Sequence, residues 1–135
     1  MKIIVSSCLL GIRCRWHGKK TSISSFVKKY IKNNPDVELI PVCPEMLGGL
    51  PCPRPPVKRM QGRIFETCED KNMRKNVTGK ELTEIYRQGA INTLVIAKQN
   101  SCEKAILCQW SPSCDKEGIT GKLLTSQGIE VINTF

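Results

Sequence analysis

The sequence has no apolar run of the roughly 18 residues that a membrane helix needs. Its opening Met1-Lys2-Ile3 leads straight into a strand-like run, not into a charged and apolar export leader. A cytoplasmic location is therefore expected. No repeat, linker or low-complexity tract interrupts the chain, so its 135 residues are expected to form a single domain, 1–135. Acidic residues are few: 12 Asp+Glu against 21 Lys+Arg leave a net charge of +9. Such a surface concentrates anions and can hold nucleic acid without sequence preference. Yet Lys28-Lys29, Lys32 and Arg54-Lys58-Arg59 are not interleaved with aromatics in the manner of single-strand binders. Nucleic acid is permitted but no motif indicates it. Histidine is nearly missing as well. The one imidazole, His17, has no second histidine to work with, and a lone histidine is usually structural or at the surface.

Cysteine is abundant, with eight in the chain. An even number raises the possibility of a disulfide framework, but that belongs to short secreted chains. In a reducing compartment, metal binding, catalysis or plain burial explain cysteine better.

The spacing of apolar residues predicts strands over 3–7, 37–42, 104–109 and 129–133. A helix capped by Ser24 or Ser25 should run to Asn33-Asn34-Pro35. Residues 44–56, with five prolines, read as a loop, and 57–76 as a short hairpin. Thr78-Gly79-Lys80-Glu81 has the form of a capping box opening the longest helix, which ends near Gln99-Asn100. A short helix over 120–127 should stop at Gly128. Strands that are apolar throughout and alternate with helices give an α/β fold of Rossmann-like type. It would be a three-layer structure, a mostly parallel four-stranded sheet with helices on both faces.

Right-handed crossovers put the carboxyl ends of all parallel strands on one edge, where ligands bind in such folds. Cys8, Cys43 and Cys114 each follow a strand and should therefore share that edge. Three thiolates together suit a soft metal or an iron–sulfur cluster. Three separately buried thiols remain an equal alternative at this point. Cys14 is the candidate for a fourth ligand. Cys108 reads as core, and Cys52, Cys68 and Cys102 have weaker claims.

The segments "SSCLLG", "CRWHG", "CPEMLGGLPCPRPP", "VTGKELTEIYRQGA" and "WSPSC" occur in an order that resembles a bacterial and archaeal family containing the thiouracil desulfidases. The resemblance spans essentially the whole chain. It implies an α/β fold with a 4Fe-4S cluster, prone to loss in air, on cysteines matching Cys8, Cys43 and Cys114. It also implies an iron-dependent desulfidase acting on a small thiolated pyrimidine or similar thiocarbonyl compound. Against it stand a non-catalytic zinc or cluster module and a basic domain acting on thiolated tRNA. Glu45, two residues past Cys43, becomes the first candidate for proton transfer, with a helix-capping role as its alternative. Ser111 and Ser113 offer catalytic hydroxyls beside the thiolates. Ser7 and Arg54 are candidate substrate contacts. Two departures stand out: Trp16-His17-Gly18 replaces a usual Tyr-Asp-Gly, and only Asp115–Ile119 stands where relatives carry a longer, glycine-rich insert. A shorter loop removes one wall of the site.

Overall fold

The computed structural model describes residues 1–14, 18, 22–52, 57–68 and 77–135. Four strands form a wholly parallel sheet: β1 (Lys2–Ser6), β2 (Glu38–Val42), β6 (Lys104–Cys108) and β7 (Glu130–Thr134), in the order β2-β1-β6-β7. The expected α/β architecture is thus the observed one. Ile3, Ile4 and Val5 of β1 and Ala105, Ile106 and Leu107 of β6 are wholly buried. Central strands covered on both faces need apolar side chains at every position, which is why no alternation shows in the sequence. Pro41 lies in β2, an edge strand, where its missing N–H costs no ladder bond.

The helices are α1 (Ser25–Asn33), the single-turn α2 (Pro44–Leu47), α3 (Thr83–Gln99) and α4 (Ile119–Ser126). Ser24 caps α1: its hydroxyl accepts the Val27 N–H and donates to the Phe135 carbonyl. The chain steps from β1 to β2 in one direction and from β2 across to β6 and β7 in the other. Right-handed crossovers then place α1 on one face and α3 and α4 on the other. α3 and α4 pack on each other. Gly128, with φ 81°, ends α4 in the left-handed region, as the sequence implies.

A second sheet was only half foreseen. β3 (Val57–Met60), β4 (Arg63–Cys68) and β5 (Val77–Glu81) form an antiparallel ribbon in that order. The expected hairpin is β3–β4. The expected capping box at 78–81 is instead strand: Thr78 pairs with Thr67 and Glu81 with Phe65. α3 starts at Thr83, and its N-cap, Leu82, offers no side-chain hydrogen bond. A local cap gains one or two hydrogen bonds, whereas the strand satisfies the backbone against β4 and buries Leu82 beside Ile64 and Tyr86. Thr83 serves the same junction, its hydroxyl accepting the Ile64 N–H at 3.0 Å. The proline-rich segment, read as loop throughout, begins with α2.

Candidate active site

Three strand ends build one cavity of about 320 Å³ at the carboxyl edge of the parallel sheet. β1 passes directly into a 3-10 turn, Ser7–Leu10, which closes at Gly11 with φ 80°. That turn holds Cys8 in the cavity wall, 8% exposed. β2 ends at Val42, and Cys43 is the N-cap of α2, with Pro44 at the first helical position, where no N–H is needed. α2 is pressed against α3. A β-carbon added to Gly89 would lie 1.9 Å from the Pro44 carbonyl oxygen, so only glycine permits this approach.

Cys114 comes from the connection between β6 and α4. The Ser111 hydroxyl oxygen accepts the N–H groups of Ser113 (3.2 Å) and Cys114 (3.1 Å), folding "SPSC" into a tight turn. Its own proton points the bond to Glu45 Oε1, at 3.4 Å. Asn133 of β7 locks the turn from below, donating to the carbonyls of Leu107 and Cys114 and accepting the Lys116 N–H. Asp115 accepts the N–H groups of Trp110 and Glu117. With two side chains tying its backbone, the short connection needs no insert to hold its shape.

Of the residues singled out in the sequence, Ser7, Cys8, Cys43, Glu45, Ser111 and Cys114 all line this cavity. Cys14 lines it too. Ser113 does not: it is wholly buried, with its hydroxyl 2.7 Å from that of Thr120 at the start of α4. Its expected place beside the thiolates is corrected by this inward packing. Ser113 anchors the turn and does not line the cavity. Arg54 and His17 lie outside the described residues. Glu45 occupies the first turn of α2 while facing the cavity, so it has a helix position and a site position at once.

Several residues of the wall are not singled out by sequence reasoning. Cys108 is core, as expected, and as the last residue of β6, opposite Thr134, it also lines the cavity. Ser6 is buried, accepts the Cys108 N–H at 2.9 Å and hydrogen-bonds the Cys114 thiol. Trp110 has no signal in the sequence beyond its neighbourhood.

The thiols are electrostatically unusual. Contacts with the Cys43 and Cys8 thiols, then burial, drive the Cys14 thiol far above its ordinary pKa. Burial first, then the Glu45 carboxylate, raises that of Cys114, against a smaller opposing pull from the Ser6 hydroxyl. Thiols crowded and buried in this way resist ionising unless a cation joins them. A cationic iron centre supplies that compensation, and its binding would expel the thiol protons. Soft, crowded, buried sulfur donors on an open cavity therefore fit an iron–sulfur cluster. Among the described residues no group of three His, Cys, Asp or Glu is gathered to hold a single metal ion, and no cysteine pair is oxidised to a disulfide. Among the described residues no helix is long and apolar enough to cross a membrane.

Comparison with known proteins adds three findings. A sequence model of the 2-thiouracil desulfurase family matches residues 3–134. The uncharacterized protein YbbK of Bacillus subtilis (strain 168) is 33% identical over 132 residues, which cover 94% of this chain and 85% of YbbK. The solved structure of the 4Fe-4S-dependent thiouracil desulfidase TudS superposes with a TM-score of 0.78 at 29% identity. The match covers 98% of this chain and 89% of TudS.

Proposed function

This chain belongs to the 2-thiouracil desulfurase family, and we propose that it exchanges the sulfur of a thiolated pyrimidine for oxygen with the help of a 4Fe-4S cluster on Cys8, Cys43 and Cys114. The observation that carries the reading is that these three thiols and Glu45 line one cavity, although they lie on three separate strand ends. TudS, similar over nearly the whole chain, is a 4Fe-4S-dependent thiouracil desulfidase. A reducing, cytoplasmic setting suits cysteines that are not in disulfides.

The reaction is redox-neutral. Water oxygen forms a bond to the thiocarbonyl carbon, the C–S bond breaks, and the two water protons leave with sulfide. When bound, the cluster supplies a thiophilic Lewis acid that draws sulfur away from carbon. Everything else falls to the chain. Glu45 takes a proton from the attacking water and passes it to the departing sulfur. Ser111 holds the Glu45 carboxylate through Oε1 while its oxygen is anchored by two backbone N–H groups, so it can only donate in that direction. Ser6 orients the Cys114 sulfur. Ser7, on the same wall, is placed to contact substrate. The basic surface favours the approach of anionic thiouracil species.

The test is anaerobic reconstitution with iron and sulfide, followed by measurement of sulfide released from 2-thiouracil and 4-thiouracil. Turnover that depends on added iron is expected. Protein with a full iron complement that releases no sulfide from either compound would overturn the reading.

A further inference from the structure

Trp110 lines the cavity yet is 74% exposed, so it stands at the mouth. Its backbone φ is 62°, in the left-handed region. That conformation costs a bulky non-glycine residue about 1–3 kcal/mol and persists only where the surroundings enforce it. Here they do: the Asp115 carboxylate accepts the Trp110 N–H at 2.8 Å, and the preceding Gln109 N–H is fixed to the Thr134 carbonyl. The indole has an aromatic neighbour. The ring of Phe135 meets it edge-on, with centroids 5.0 Å apart and planes at 80°. In an edge-to-face pair one ring presents its edge, and so at least one aromatic face of the pair stays uncovered. Phe135 is itself 57% exposed. The fold thus holds an exposed aromatic pair, on a strained backbone, at the mouth of the cavity that holds the thiols.

We propose that Trp110, braced by Phe135, is the stacking wall that binds the substrate ring and makes the enzyme selective for planar heteroaromatic thiocarbonyls over acyclic ones. The proposal rests on the reading above and names the ring-recognition part of it. A pyrimidine offers a π-face whatever its substituents, and stacking on an aromatic side chain is worth about 1–3 kcal/mol per base. Trp110 is a binding residue on this account and takes no part in proton transfer.

The experiment uses the cluster-loaded enzyme and Trp110→Ala and Trp110→Phe variants, with 2-thiouracil and the acyclic thiourea as substrates. Trp110→Ala should raise KM for 2-thiouracil roughly 5- to 150-fold, the range that stacking energy implies, with kcat changed less than about threefold. Trp110→Phe should restore most of the loss. KM for thiourea should move less than about twofold. An indole that only packs against Phe135 would lower the melting temperature and leave KM alone; that outcome, or a loss confined to kcat, overturns the proposal. Saturation-transfer NMR with uracil and uridine supplies a readout independent of turnover. Ring protons should receive saturation from wild-type protein and much less from Trp110→Ala, even if the thiouracils prove not to be substrates. Equal transfer in both proteins also overturns it.

Discussion

In the parallel sheet, β1 and β6 each bury three consecutive apolar side chains completely; in the antiparallel ribbon, Ile64 alone among the described residues is buried. The first sheet belongs to a continuous core that runs from Ile3 to Val131 and reaches Cys8, Cys14, Cys108 and Cys114. The second leans on a cluster of three buried residues, Ile64, Leu82 and Tyr86, at the start of α3. A buried aliphatic side chain stabilises by about 1.5–3 kcal/mol, so the two sheets differ severalfold in what holds them. Their roles differ to match. The parallel sheet brings thiols to one cavity. The ribbon supplies a side wall through Val57 and reaches the site loop through Arg59, which hydrogen-bonds the Glu117 carbonyl. Chemistry that needs fixed geometry sits on the deeply buried sheet, and the weaker one closes the site.

The largest effect should come from the ends of the parallel strands. Cys8→Ser replaces a soft donor by a hard one at the cavity wall. Iron content after anaerobic reconstitution should fall to background and desulfidation should vanish, while thermal stability of the metal-free protein shifts little. Cys102→Ser, buried away from the cavity, should keep its iron. Equal iron in both variants would remove Cys8 from the ligand set.

Ile64→Ala strikes the ribbon instead. Truncating a wholly buried isoleucine costs about 2–5 kcal/mol. If the ribbon opens separately from the sheet, amide exchange in β4 and β5 should accelerate roughly 30- to 5,000-fold while β1 and β6 stay protected. Iron loading at low temperature should survive. Uniform acceleration in both sheets would mean that they unfold as one unit, and the contrast between them would be one of function alone.

Glu45→Gln tests the site without touching either core. The amide keeps the size of the side chain and can still meet Ser111, but it cannot carry a proton. Iron and sulfide content should be unchanged and kcat should fall roughly 100-fold, about 2.7 kcal/mol of barrier. A variant of full activity would move proton transfer to another cavity residue.

The parallel sheet was readable because its signals are local: apolar runs, Ser24 as a cap, Gly128 as a stop. That Cys8, Cys43 and Cys114 line one cavity follows from topology, since parallel strands share one carboxyl edge. The ribbon's third strand was unreadable for the opposite reason. Thr78-Gly79-Lys80-Glu81 carries a helix-start signature, and the partner that overrides it, β4, lies ten or more residues away across residues 69–76. Cys108 reads as core and is core; that it also lines the cavity at the end of β6 depends on register with Thr134, which no single sequence displays. Ser113 and Ser111 are two residues apart in one motif, yet one turns inward to Thr120 and the other toward Glu45. Only the turn itself decides which hydroxyl faces the cavity.

The smallest effect concerns the link between the two sheets. Burial pushes the Asp115 carboxyl upward, but the N–H groups of Glu117 and Trp110, and then Arg59 from the ribbon and Lys116, outweigh it and hold it below the usual carboxylate range. A carboxyl with a depressed folded-state pKa stabilises the native state fully above its unfolded pKa, near ~3.9, and loses that contribution as pH falls through the folded value. Asp115→Asn removes the charge and keeps one acceptor. At pH 7 the variant should be less stable by about 0.5–1 kcal/mol, the scale of a partly exposed charged hydrogen bond. The gap should narrow below about pH 4 as the wild-type carboxyl takes up its proton. Urea midpoints at pH 7 and pH 3 read this directly. Arg59→Gln should cost more at pH 7 in wild type than in the Asp115→Asn background, where only its bond to the Glu117 carbonyl is left to lose. A gap that is the same at both pH values would show that Asp115 acts by shape and not by charge, and that the ribbon exerts no electrostatic hold on the site loop.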